Sequence, residues 1–250
     1  MTARKLSAPL GLAALAAAAV ASPTQAGGTD AAAHRPVLLA TGDSMIQIVD
    51  TKIAQRLRRG HHRIRVRSDA RVSTGISKPF LLDWRRHARH QVGRYHQRAT
   101  VVFIGANDGF DMRTPSGAKA ACCGAAWVGE YARRARRMMI TYARKGRAHV
   151  YWLLLPQARG GFFRKVYPRV NAALRQAASS LRQVSLLKGK VQLIHLNRVF
   201  TPHGHYRAVM RWRGHLRRVR QGDGIHLSTA GAAIAAFYVA HALRGDRLIR

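Results

Sequence analysis

Three short segments carry residue types that could perform acyl chemistry. The tripeptide "GDS" (42–44) sets Ser44 between an apolar run and an amphipathic one. The segment "GAND" (105–108) offers Asn107, and "GDGIHLS" (222–228) holds Asp223 and His226 three residues apart. A serine nucleophile needs a base within hydrogen-bond reach, an acid that orients the base, and donors facing the developing oxyanion. The Asp223 to His226 spacing lets one loop bring a carboxylate to one imidazole nitrogen while the other nitrogen faces a serine. The Arg-rich stretch before this loop contains no acid, so Asp223 is the carboxylate nearest to His226 in sequence. Ten acidic residues stand against 44 basic ones, and Asp43, Asp108 and Asp223 all fall in these loops. Each segment also has a plainer reading. Gly-Asp-Ser commonly caps a helix, Gly-x-Asn-Asp commonly makes a turn, and a histidine near a helix start can be purely structural. Asp43 and Asp108 read as residues that fix their turns by hydrogen bonding.

Such groups need a scaffold that brings distant segments together. The run "PVLLA" (36–40) reads as a buried strand, followed by a helix from Ile46 to Leu57 with Ile46, Val49, Ile53 and Leu57 on one face. Period-two alternation in "RIRVRS" (63–68) predicts a second strand, and residues 78–95 a helix opening near Pro79. Strands follow at 99–108, 149–156 and 190–196, with helices from Trp127 to Lys145 and from Tyr167 to Val184 between them. Residues 197–224 read as polar and irregular, and an alanine-rich helix from about Ser228 to Leu243 ends the pattern. This alternation implies one α/β domain with a five-stranded, mostly parallel sheet covered by helices on both faces. Sites in such sheets lie at the carboxyl ends of the strands, where Ser44 and Asn107 both fall.

These residues together resemble the SGNH (GDSL-type) hydrolase superfamily, whose four blocks center on Ser, Gly, Asn and His. "GDSM" matches the first block with Ser44, and "STGISKP" (73–79) supplies Gly75 for the second. "GAND" matches the third with Asn107, and "DGIH" the fourth with Asp223 and His226. Trp127, Tyr131, the "YWLLLP" strand and the "GDGIHLSTAG" ending are similar to a branch of secreted SGNH-like proteins with no assigned substrate. The resemblance implies a flavodoxin-like αβα sandwich and a Ser44–His226–Asp223 triad. It also implies an oxyanion hole formed by the backbone N–H groups of Ser44 and Gly75 with the Asn107 amide. The G-x-S-x-G elbow of α/β-hydrolases is absent, since "TGDSM" lacks its second glycine.

Composition sets the surroundings. Arg4 and Lys5, an apolar run from Leu10 to Ala21 and Thr24-Gln25-Ala26 have the pattern of a secretory signal over residues 1–26. Residues 27–35 then read as a linker and 36–250 as the domain; the alternative for the N-terminus is an uncleaved anchor. The expected location is secreted or periplasmic, with no transmembrane segment in the mature form. The formal net charge of +34 fits either a solvated, Arg-rich surface or attraction to an anionic envelope polymer. Zinc-finger, RNP and basic-zipper patterns are missing, so no specific nucleic-acid partner is expected. No cofactor or metal is expected either, since His61-His62 and His203-Gly204-His205 lack a ligand set of the usual type. The adjacent Cys122 and Cys123 give no disulfide framework; free thiols, a vicinal disulfide and intermolecular links all remain open. Phe103 and Trp152 read as core. Three functions fit this sequence: an esterase removing a small acyl group such as acetyl from a carbohydrate or small ester, an acyltransferase using the same three residues, and a non-catalytic scaffold binding anionic glycan or lipid. Substrate or partner contacts are expected in the segment from Thr201 to Arg220.

Overall fold

The computed structural model of the chain describes residues 35–250. The expected leader (1–26) and nearly all of the linker lie outside the described residues. In chain order the elements are β1 (Val37–Gly42), α1 (Ile46–Arg59), β2 (Arg65–Ala70), α2 (Trp84–Tyr95), β3 (Ala99–Phe103), β4 (Met112–Arg113), β5 (Lys119–Ala120) and α3 (Ala125–Ala143). They continue with β6 (His149–Leu153), α4 (Phe163–Ser179), β7 (Val191–Ile194), α5 (Leu196–Phe200), β8 (Val209–Trp212), β9 (His215–Arg218) and α6 (Thr229–Gly245).

Five strands pair in the order β2-β1-β3-β6-β7, and every pairing is parallel. β1 and β3 are buried along their whole length, as continuous apolar runs in a doubly covered sheet must be. Helices α1 and α6 pack together, and α3 packs against both α2 and α4. Strand order runs outward from β1 in one direction to β2 and in the other to β3, so the switch point lies between β1 and β3. Ligand crevices in open parallel sheets form at the carboxyl end of that switch point.

The buried side of α1 is Ile46, Val49, Ile53 and Leu57, as its periodicity predicts, with Asp50 beside them. Asp50 accepts a hydrogen bond from Ser68 Oγ, which joins α1 to β2. Several elements differ from the sequence expectation, three of them for reasons visible in the structure. α2 opens at Trp84 and not near Pro79, because Asp83 accepts from the backbone N–H groups of Arg85 and Arg86 and caps it there. α4 opens at Phe163, ahead of Pro168. The missing proline N–H frees the Arg164 carbonyl, and Gln157 Nε2 donates to that oxygen at 3.0 Å. The segment 197–224, expected to be irregular, contains α5 and the β8–β9 hairpin. That hairpin turns at Arg213 and Gly214, both with positive φ. Cys122 and Cys123 are joined as a vicinal disulfide. No helix of the described residues is long and apolar enough to cross a membrane.

Candidate active site

Ser44 sits two residues ahead of α1, on the turn leaving the central strand β1. Gly42 makes that turn possible: its φ is +153°, and a Cβ there would lie 1.9 Å from the Phe103 carbonyl oxygen. The turn leading into α1 is fixed by Asp43, whose Oδ1 accepts from Met45 N at 2.9 Å. The Ser44 side chain makes no cap. Its Oγ lies 2.8 Å from Nε2 of His226, a residue 182 positions away in sequence.

The other imidazole nitrogen, Nδ1, is 2.5 Å from Asp223 Oδ2. An ionised carboxylate can only accept, so Nδ1 carries the hydrogen and Nε2 is left to accept from the serine hydroxyl. Oδ1 of Asp223 accepts from the backbone N–H groups of Ile225 and His226 at 2.8 and 3.0 Å. Burial opposes the charge on Asp223, but the hydrogen bond from His226 and those two N–H groups outweigh it and hold the carboxyl below its ordinary value.

Asp43 ties the first loop to the third. It is completely buried, and its Oδ2 accepts from the backbone N–H groups of Gly105 and Ala106, each at 2.9 Å. Burial pushes its carboxyl up from 3.8 to about 6, against the pull of those N–H groups and that of Met45; the nearby Asp108 adds to the upward push. Asp108 is buried as well and ties the third loop to the second. Its Oδ1 accepts from Ser77 N and Oγ at 2.6 and 2.8 Å, and Oδ2 accepts from Tyr131 Oη at 2.7 Å. Burial raises the Asp108 carboxyl too, against the Tyr131 and Ser77 hydrogen bonds.

Gly75 lies in the second loop against Asp108, where a Cβ would come within 2.5 Å of Oδ1. Only glycine fits there without displacing the carboxylate. Asn107 Nδ2 donates to the Thr74 carbonyl at 3.3 Å, which sets its amide beside the Gly75 backbone. Through Asp43, Asp108 and Asn107, the Ser44, Gly75 and Asn107 loops are bonded into one unit at the carboxyl end of β1, β2 and β3. Backbone donors at the start of a helix and a neutral amide suit a developing oxyanion without adding a titrating charge.

Arg220 is the residue that sequence reasoning missed. It is fully buried, and its guanidinium donates to the carbonyls of Gln157, Gly224 and Ile225 at 3.0, 3.2 and 2.7 Å. It thereby fixes the turn between Asp223 and His226 from beneath, with its cation 5.1 Å from the Tyr206 ring. In the sequence it is one arginine among many; the only mark is its place three residues before Asp223. Among the described residues, no hydrogen bond or ion pair joins His61, His62, His203 or His205 to Ser44, His226 or Asp223. Among the described residues, no group of three or more His, Cys, Asp or Glu side chains is arranged to hold a metal ion.

Several solved structures carry the same architecture. A carbohydrate acetylesterase from Sinorhizobium meliloti aligns with a TM-score of 0.53 at 14% identity, over 85% of this chain and 99% of its own. An acetylxylan esterase from Geobacillus stearothermophilus, solved as a catalytic mutant, gives 0.53 at 14% identity over 83% and 94%. A psychrotrophic esterase from Pseudoalteromonas sp., inhibited by monoethylphosphonate, gives 0.53 at 9% identity over 84% and 97%. A protein from Slackia heliotrinireducens described as an SGNH hydrolase gives 0.55 at 16% identity over 84% and 100%, and these likenesses establish the SGNH hydrolase fold. No curated protein sequence matches the chain. The family model described as "Protein of unknown function (DUF459)" matches residues 37–242. With the SGNH fold and that match over most of its length, the chain belongs to the DUF459 family.

Proposed function

We propose that this protein is a secreted serine esterase of SGNH type that removes a small acyl group, acetyl, from a cell-envelope carbohydrate. The observation that carries this reading is the hydrogen-bonded chain from Ser44 Oγ through His226 to Asp223, with separations of 2.8 and 2.5 Å. In the proposed reaction Ser44 Oγ attacks the ester carbonyl and passes its proton to His226 Nε2. The negative charge gathers on the former carbonyl oxygen, facing the N–H groups of Ser44 and Gly75 and the Asn107 amide. Collapse breaks the bond to the alcohol, which takes the proton from His226 and leaves an acyl-serine. Water then attacks the acyl carbon, His226 accepts its proton, and release of the acid returns that proton to Ser44. Asp223 keeps the imidazole in the tautomer that both halves require and stabilises the imidazolium between them. Two SGNH-fold neighbours are an acetylesterase of carbohydrate and an acetylxylan esterase, which supports the choice of acetyl and of a sugar.

The test is turnover of a p-nitrophenyl ester series, acetate to octanoate, by the wild type and by Ser44→Ala and His226→Ala. The reading expects turnover greatest with acetate and reduced by at least about 1,000-fold in either variant. Turnover equal in all three proteins would overturn it and leave Ser44 a structural residue. Esters consumed only when a sugar hydroxyl is supplied would assign the same residues to acyl transfer.

A further inference from the structure

Four large apolar side chains stand in solvent on the loops at the carboxyl end of the sheet. Phe80 and Leu81 on the β2–α2 loop, Phe110 after β3 and Phe162 just before α4 are 68%, 54%, 46% and 54% exposed. The three rings are not scattered. Phe80 meets Phe110 edge to face with centroids 5.9 Å apart. Phe162 presses on Gly109, the residue before Phe110, where a Cβ would come within 2.4 Å of its ring. Three separate loops therefore build one apolar patch close to Asn107.

Cations border this patch. Lys78 Nζ stands 5.0 Å over the Phe110 ring. Pro79, the neighbour of Phe80, lines a cavity of about 230 Å³ whose wall also carries Arg85, Arg133, Arg134 and Arg137. The same wall carries a single carboxylate, Asp83, which accepts from the backbone N–H groups of Arg85 and Arg86. Glu130 engages Arg133 and Arg134. Among the described residues, Arg85 and Arg137 have no acidic side chain within ion-pair distance. Three phenylalanines and a leucine offer apolar area with no polar tip, which acyl chains match, and the aliphatic Leu81 has no ring face to stack on a sugar. Apolar side chains ringed by basic ones is the pattern of a surface that lies in an anionic bilayer interface. The formal charge of +34 supplies long-range attraction to the same target.

We propose that this face docks on an anionic phospholipid surface. Phe80, Leu81, Phe110 and Phe162 enter the acyl boundary, and the arginine-lined cavity receives a headgroup phosphate. Docking in this way sets the carboxyl end of the sheet, and Ser44 with it, against the envelope. The binding needs no chemistry at Ser44, so it goes beyond the esterase reading and stands or falls separately.

The experiment is co-sedimentation of the protein, purified as its host processes it, with vesicles of equimolar phosphatidylglycerol and phosphatidylcholine, beside vesicles of phosphatidylcholine alone. The wild type is expected to bind the anionic vesicles, more weakly as salt rises, and Ser44→Ala to bind equally well. The variant Phe80→Ser/Phe110→Ser/Phe162→Ser should lose about 10-fold or more in affinity. The variant Arg85→Gln/Arg137→Gln should lose about 30-fold, with its remaining binding less selective for phosphatidylglycerol. An unchanged thermal midpoint shows that each variant is folded; one that fails this check is replaced by the single substitution Phe80→Ser, expected to lose about 3-fold or more. Equal binding of the wild type and the folded phenylalanine variant would overturn the proposal. So would equal binding to both vesicle types, or retention by a soluble anionic polysaccharide with none by vesicles.

Discussion

Replacing Asp43 by Asn should change how the stability of this protein responds to acid. In the folded chain the buried Asp43 carboxyl holds its proton up to about pH 6, whereas in the unfolded chain it gives the proton up near 3.8. Between those values the folded state binds more protons, so stability rises on acidification and falls as pH climbs. The contribution is fully present below the unfolded value and lost as pH rises through about 6. Moving from 3.8 to about 6, at about 1.36 kcal/mol per pH unit, amounts to roughly 3 kcal/mol. Asparagine does not titrate, so Asp43→Asn removes this term. The assay is urea unfolding of both proteins at pH 4, 5, 6 and 7. From pH 7 to pH 4 the wild type should gain about 2.4 kcal/mol relative to the variant, most of it between pH 6 and 4, with the remainder of the full contribution gained below the unfolded value. The lowered carboxyls of Asp69, Glu130 and Asp223 act below their ordinary values and appear in both proteins. The lowered imidazoles of His149 and His195 are likewise common to both. Parallel stability curves would refute the claim that burial holds the Asp43 carboxyl up.

Two further outcomes follow from the loops. Asn107→Ala should lower kcat for p-nitrophenyl acetate by about 100- to 1,000-fold with little change in KM, since the amide is assigned to the transition state and not to substrate binding. A rise in KM at constant kcat would move Asn107 to substrate recognition. Arg220→Met should lower kcat by at least about 10-fold while leaving the pH midpoint of urea unfolding set by Asp43 in place, because the lost carbonyl contacts hold the His226 loop and Gln157 and none of them reaches Asp43. Full activity in Arg220→Met would show that the turn between Asp223 and His226 holds itself.

The strands and the order of the site residues were readable from sequence for a physical reason. β1, β3 and β6 are buried on both faces, so their apolar runs are continuous, and α1 buries every fourth residue or so against the sheet. Asp223 and His226 were legible because one loop carries both and acids are scarce in this chain. The boundaries of α2 and α4 were not, because proline alone marks a helix start less strictly than the side chains around it. Asp83 overrode Pro79, and Gln157 satisfied the carbonyl that Pro168 leaves free. The β8–β9 hairpin was hidden by its exposure. Every residue of β9 faces solvent, so no apolar alternation marks it. Arg220 was hidden for the opposite reason, a buried cation whose only partners are carbonyls and a ring face, with no carboxylate to announce it.

The most direct test of the central claim is covalent. A phosphonate ester with a p-nitrophenolate leaving group, added to the wild type, should release one equivalent of nitrophenolate and leave one adduct. Peptide mapping should put that adduct on Ser44, and His226→Ala should block its formation. Adduct formation at another residue, or none while ester hydrolysis continues, would contradict the assignment of Ser44 as the nucleophile.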